Sequence, residues 1–207
     1  MNSNKFEKGD RTALNVTQEA HHRIFVGLGW DPKDEENSGI IGAITDKISG
    51  KALHHDLDLS CYLYDANDGL ISVVNAETEK GTDRSGKVYH SGDNVEGIGD
   101  GDDEQISVEL KDIDPSIIHM IFTATIKSGH NFSDIDTPEI RLVDAYSDHT
   151  FAQKKIDQIE GQDKSGYVFL AVYYTPEGWH MHYIDEYFTF KKKGDLDLYL
   201  KKYLKSA

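Results

Sequence analysis

The stretch Asp56–Tyr64, DLDLSCYLY, alternates apolar and polar side chains without a break. Side chains of a strand point to opposite faces in turn, so Leu57, Leu59, Cys61 and Leu63 fall on one face. Asp56, Asp58, Ser60, Tyr62 and Tyr64 fall on the other. That pattern predicts a strand with one face in a core. The turn residues DANDG (Asp65–Gly69) and the returning LISVV complete a hairpin. The same pattern recurs along the chain. Leu14–Thr17 and Arg23–Gly29 are short β-rich pieces, QISVEL alternates, and HMIFTATIKS is apolar and β-branched. PEIRLVDAYSDHTFAQKKI and GYVFLAVYYTPEGWHMHYIDEYFTF supply four more strands, the last two joined at TPEGW. DIDPSI reads as a short helical turn with Pro115 near its start. In GDLDLYLKKYL the residues Leu196, Tyr199, Leu200, Tyr203 and Leu204 share one helical stripe. Many short strands with no βαβ rhythm predict a mainly β chain: an antiparallel β-sandwich with a few short helices and a C-terminal helix. We expect one domain over residues 1–207, with an extended excursion at about 32–55, where the sequence is polar at both ends and weakly apolar between.

A β-sandwich leaves its function to its loops, and one loop stands apart. Asp93–Glu104, DNVEGIGDGDDE, holds six carboxylates in twelve residues with no lysine or arginine. Carboxylates held close repel, and ordering them without a counter-charge raises their pKa or unfolds the loop. Solvent and disorder, a basic partner surface, or a hard cation would each relieve this. Two features weigh against simple disorder: the loop runs straight into a strand whose register must be set, and glycines sit between the acids, where the chain must turn tightly for oxygens to converge. Calcium takes six to eight oxygens, backbone carbonyls included, whereas magnesium keeps more water and a stricter octahedron, so a flexible carboxylate loop favours calcium. The spacing does not fit an EF-hand. Asp56 and Asp58 add a second acidic feature, since like charges on one face of a strand are destabilising without a counterion.

The bulk numbers are consistent with this. At 207 residues and 38% hydrophobic content the chain can bury one good core. A net charge of -15 argues against nucleic acid as the main partner and suits a protein that binds cations. No apolar run approaches the roughly 18 residues needed to span a bilayer. MNSNKFEKGDR carries no apolar stretch of secretory type, and a single cysteine excludes an internal disulfide. The expected location is the cytoplasm, or its periphery at the inner face of the membrane.

Three motifs carry a resemblance: VGLGWD (Val26–Asp31), DLDLSCYLYDANDGL (Asp56–Leu70) and, most specifically, HSGDNVEGIGDGDDEQISVEL (His90–Leu110). With HNFSDI (His130–Ile135) and the closing GYVFLAVYYTPEGWHMHYI, they resemble the TerD family of bacterial tellurium-resistance and stress proteins, in order and over nearly the whole chain. The resemblance implies a β-sandwich that binds calcium, usually two ions, at a shallow acidic surface. It also implies a role in resistance to tellurite, other chemical damage, phage and colicins, acting with sister Ter-type proteins and a membrane partner. No catalytic activity goes with it. Carried over residue by residue, the implied ligands are Asp56 and Asp58 from the strand and Asp93, Asn94, Asp100, Asp102, Asp103 and Glu104 from the loop. Gly97 is a carbonyl donor, and Asp31 is included although the link from Asp31 to Asp56 is longer than the family's. An alternative class is a magnesium- or manganese-dependent hydrolase built on the same acidic cluster.

Other features point elsewhere with less force. Cys61 falls on the core face of its strand and predicts a packed thiol. His54 and His55 precede Asp56 but lack the further ligands of a hydrolase. His180 and His182 share one strand face and would need a third ligand to hold zinc or copper. VGLGW is half of a dinucleotide fingerprint, with Pro32 where the third glycine belongs.

Overall fold

The computed structural model describes residues 6–18, 22–31, 56–94, 101–126, 130–189 and 195–206. Eleven strands run through them: β1 (Arg11–Ala13), β2 (Arg23–Asp31), β3 (Leu57–Tyr64), β4 (Leu70–Val74), β5 (Val88–His90), β6 (Glu104–Glu109), β7 (His119–Ile126), β8 (Asp136–Asp144), β9 (Thr150–Lys155), β10 (Gly166–Thr175) and β11 (Gly178–Phe188). They form two sheets, six-stranded β1-β11-β10-β7-β3-β4 and five-stranded β5-β6-β2-β8-β9. Every pairing is antiparallel. The antiparallel sandwich expected from the alternation is the fold of the chain. The excursion at 32–55, with His54 and His55, lies outside the described residues.

The core between the sheets is assembled by period-two alternation. Ile24, Val26, Leu28 and Trp30 of β2, with Ile106 and Val108 of β6, meet Leu57, Leu59, Cys61 and Leu63 of β3 and Met120, Phe122 and Ala124 of β7. Cys61 is fully buried, and burial, reinforced by the charge of Asp83, pushes its thiol well above the usual range. The thiolate form that would react with an oxidant is therefore suppressed.

Four expectations need correction. The outer face of β3 is not solvent-facing: Asp58, Ser60 and Tyr64 are buried. The C-terminal helix α1 (Asp195–Leu200), which continues as a 3-10 segment through Lys201–Ser206, is the reason on the Tyr64 side. Its Leu196, Leu200 and Leu204 pack on Tyr64, Ile121, Val168, Ala171 and Ile184, with Tyr199 and Tyr203 partly buried at its flank. Where this helix lies, over β3, β7, β10 and β11, the six-stranded sheet is covered on both faces. Leu14–Thr17 is not a strand. The paired residues are Arg11–Ala13, against His180–His182, and the following stretch is held by the Thr17 amide donating to Asp144 (2.6 Å). Arg23–Gly29 extends two residues further, to Asp31. DIDPSI forms no helix but a turn in which Asp114 accepts from the Ser116 amide and hydroxyl.

No helix among the described residues is long and apolar enough to cross a membrane.

Candidate cation site

Residues from both sheets meet at the end of the sandwich where β3 begins and β6 begins. Asp56 leads into β3, Asp58 lies within it opposite Thr125 of β7, and Asp93 follows β5. One carboxylate oxygen from each of the three lies within 4.8 Å of the others. Asp58 is 2% exposed, Asp56 is half-buried and Asp93 is open to solvent. Two unit charges at that separation repel by roughly 3–4 kcal/mol at an effective dielectric near 20. Oxygens on opposite sides of one calcium stand about 4.6–5.2 Å apart, given bonds of about 2.3–2.6 Å. The spacing and the all-oxygen donor set therefore fit a single hard cation.

The tail of the acidic loop behaves differently. Gly101 adopts a φ of 103°, open to glycine and strained for other residues, and it turns the chain down onto the outer face of β2. A Cβ on Gly27 would fall on the Asp102 carboxylate, and one on Gly29 would fall on the Gly101 carbonyl oxygen. The glycines of VGLGW therefore serve neither a nucleotide nor a turn. They clear a track along which the loop tail lies.

Asp102 then meets Arg141 of β8, whose Nε and Nη2 each donate at 2.9 Å to one carboxylate oxygen. The guanidinium lies 5.5 Å from the Phe25 ring centroid, and its bonds to Asp102 raise its pKa. Asp103 accepts from the Trp30 amide and from the Asn94 side chain, both at 2.9 Å. Burial raises the Asp103 pKa against the pull of the Trp30 amide, and the charges of Asp31 and Asp102 add to the rise. Asp31 accepts from the Thr137 hydroxyl at 2.6 Å.

Glu104, the first residue of β6, is fully buried between the sheets. Its Oε2 accepts from the Leu59 amide at 2.7 Å and faces His90 Nε2 at 3.2 Å, while its Oε1 accepts from the Asn94 amide at 3.4 Å. A groove of about 530 Å³ runs beside the loop tail, with Gly101 and Asp102 on one side and Arg141, Gln153 and Lys155 of β8 and β9 on the other.

Of the residues singled out in the sequence, Asp56, Asp58 and Asp93 converge. Asp31, Asn94, Asp102, Asp103 and Glu104 instead make specific contacts with protein groups, Asp31 with Thr137, Asn94 with Asp103, Asp102 with Arg141, Asp103 with Trp30 and Glu104 with Leu59 and His90. Gly97 and Asp100 lie outside the described residues. The sequence alone does not display the contact of Arg141 with Asp102, that of His90 with Glu104, or the space that Gly27 and Gly29 leave for the loop tail. Period two did hold a signal for Glu104, since it shares its face with Ile106 and Val108 and must point inward. His180 and His182 gather no third ligand among the described residues. His182 accepts from Arg11 (3.2 Å), and burial plus that cation lowers its pKa to about 4, while His180 stacks on Tyr173.

The chain matches the TerD domain over residues 2–203. It belongs to the TerD family. Among curated relatives of this TerD-family protein, the tellurium resistance protein TerZ of Serratia marcescens is 33% identical over 140 residues, 66% of this chain and 67% of that protein. The general stress protein 16U of Bacillus subtilis (strain 168) is 32% identical over 66% of each chain. A solved homologue of the telluride resistance protein from Streptomyces coelicolor A3(2) aligns with a TM-score of 0.66 at 19% identity, covering 84% of this chain and 94% of that one. At that identity the alignment speaks for the sandwich alone.

Proposed function

We propose that this TerD-family chain is a non-enzymatic stress-response protein that binds calcium at the acidic end of its sandwich. The observation that carries the reading is the convergence of Asp56, Asp58 and Asp93 from two loops and a strand onto one point. Relatives named for tellurium resistance and for general stress support the physiological half. Calcium cancels the repulsion among the three carboxylates and fixes the loop that starts at Asp93. The loop's far end forms one wall of the groove beside Arg141, so the bound ion sets the shape of a surface suited to a partner protein. Sister proteins of the same family and a membrane-embedded component are the partners in this reading.

A ligand that binds only the folded chain adds RT ln(1 + [L]/Kd), about 2.7 kcal/mol at a hundredfold excess. For a chain of this size that is a rise in Tm of roughly 5–10 °C. Calorimetric titration of chelator-treated protein is expected to show calcium uptake well above magnesium uptake, with the Tm rise in parallel. Asp58→Asn is expected to remove both. Equal heats and equal Tm shifts in the Asp58→Asn protein would place the ion elsewhere, and no heat from the parent chain would end the calcium reading.

A further inference from the structure

Glu104 makes contacts that a direct ligand could not readily keep. A carboxylate offers lone pairs on two oxygens, and here both face the protein: the Leu59 amide at 2.7 Å, His90 at 3.2 Å and the Asn94 amide at 3.4 Å, with no exposed surface. The positions of the two amides matter more than their number. Leu59 N–H belongs to the residue directly after Asp58, and Asn94 N–H to the residue directly after Asp93. The Leu59 amide is open to a side-chain acceptor because β4 pairs with β3 only over Cys61–Tyr64. One carboxylate, standing on the other sheet, therefore holds the backbone behind two of the three converging aspartates and fixes the gap between them.

His90 holds the clamp in turn. Its Nδ1 accepts from the Gly92 amide at 3.1 Å, which leaves the ring proton on Nε2, pointing at Glu104. The His90 and Glu104 side chains are both fully buried, so neither can turn outward to a solvent-side ion without opening the end of the sandwich. From this geometry, and resting on the calcium reading above, we propose that Glu104 is the positioning residue of the cation site and that His90 orients it. Glu104 lies outside the ion's ligand shell. It sets the separation of Asp58 and Asp93, the way outer partners of metal ligands hold those ligands in register.

Partners of that kind typically change metal affinity by about 10- to 100-fold when removed. In the full chain, Glu104→Gln puts an amide N–H₂ where one backbone donor now bonds, and His90→Leu removes the ring donor. Both are expected to weaken calcium binding by about that factor in calorimetry, while His90→Gln, which can again present N–H to Glu104, restores most of it. Terbium, a luminescent stand-in for calcium, separates positioning from ligation, because its lifetimes in H₂O and D₂O count the water molecules bound to the ion. The count is expected to be the same in parent and variants. An extra bound water in Glu104→Gln overturns the proposal, because it makes Glu104 a ligand; an unchanged calcium Kd in both Glu104→Gln and His90→Leu overturns it as well. If Glu104→Gln does not fold, the His90→Leu and His90→Gln pair decides by loss and rescue. Parent protein that takes up neither ion overturns the calcium reading along with this one, whereas parent binding with unaffected variants overturns this one alone.

Discussion

The acids of this chain divide by neighbourhood rather than by type. Asp56, Asp58 and Asp93 face one another, Asp102 faces a guanidinium, Asp103 faces amides, and Glu104 sits inside the core with an imidazole. Asp102, Asp103 and Glu104 answer the same difficulty, a negative charge held in place, each with a different counter-group, whereas the three converging aspartates face like charge. Single small residues make this possible. Gly27 leaves the space that Asp102 fills, and Asp102 cannot simply swing away because both its oxygens are bonded to Arg141. Gly27→Ala is therefore expected to destabilise the chain by about 1–3 kcal/mol, the usual range for forced overpacking. Denaturant unfolding with an unchanged m-value checks it. A loss below about 0.5 kcal/mol would mean that the loop tail does not lie on β2.

The elements were legible in proportion to their length and regularity. β3, β6 and β7 announced themselves because eight, six and eight residues of alternating or apolar pattern admit little else. β1 and β5 have three residues each, too few to display a period, and exist because a longer neighbour offers an edge. The double burial of β3 was hidden for another reason. Tyr62 and Tyr64 read as polar, yet they are the apolar bed on which α1 rests. That helix is six residues long before it tightens into 3-10 geometry, too short to persist on propensity alone, so packing must hold it. Leu200, with no exposed surface, is its central anchor. Leu200→Ala is expected to lose about 2–5 kcal/mol of stability and to leave α1 the first part of the chain to exchange its amide hydrogens. Exchange of α1 at the same rate as β7 would show that the helix is not held by this contact.

Within the candidate site, the sequence displays which acids are neighbours along the chain but not which groups are neighbours in space. The loop acids drew attention as a run, but their partners come from distant strands: Arg141 is 39 residues beyond Asp102, and Leu59 lies 45 residues before Glu104. No local pattern reports such pairings, since they depend on how the two sheets stack. At the scale of the whole molecule this stacking is what matters. The sandwich brings the start of β3 in one sheet and the start of β6 in the other to the same end, where the Leu59 amide of β3 meets Glu104 of β6 and Asp93 comes within reach of Asp56 and Asp58. A chain with net charge -15 thereby gathers three of its carboxylates at one place. The most direct measurement is an anomalous-difference map from crystals of the full chain grown with calcium and then soaked in terbium. A peak bonded to oxygens of Asp56, Asp58 and Asp93, with Glu104 still turned inward onto Leu59, is the expected result. A map that is flat at those three carboxylates while ions occupy other parts of the surface would contradict the account.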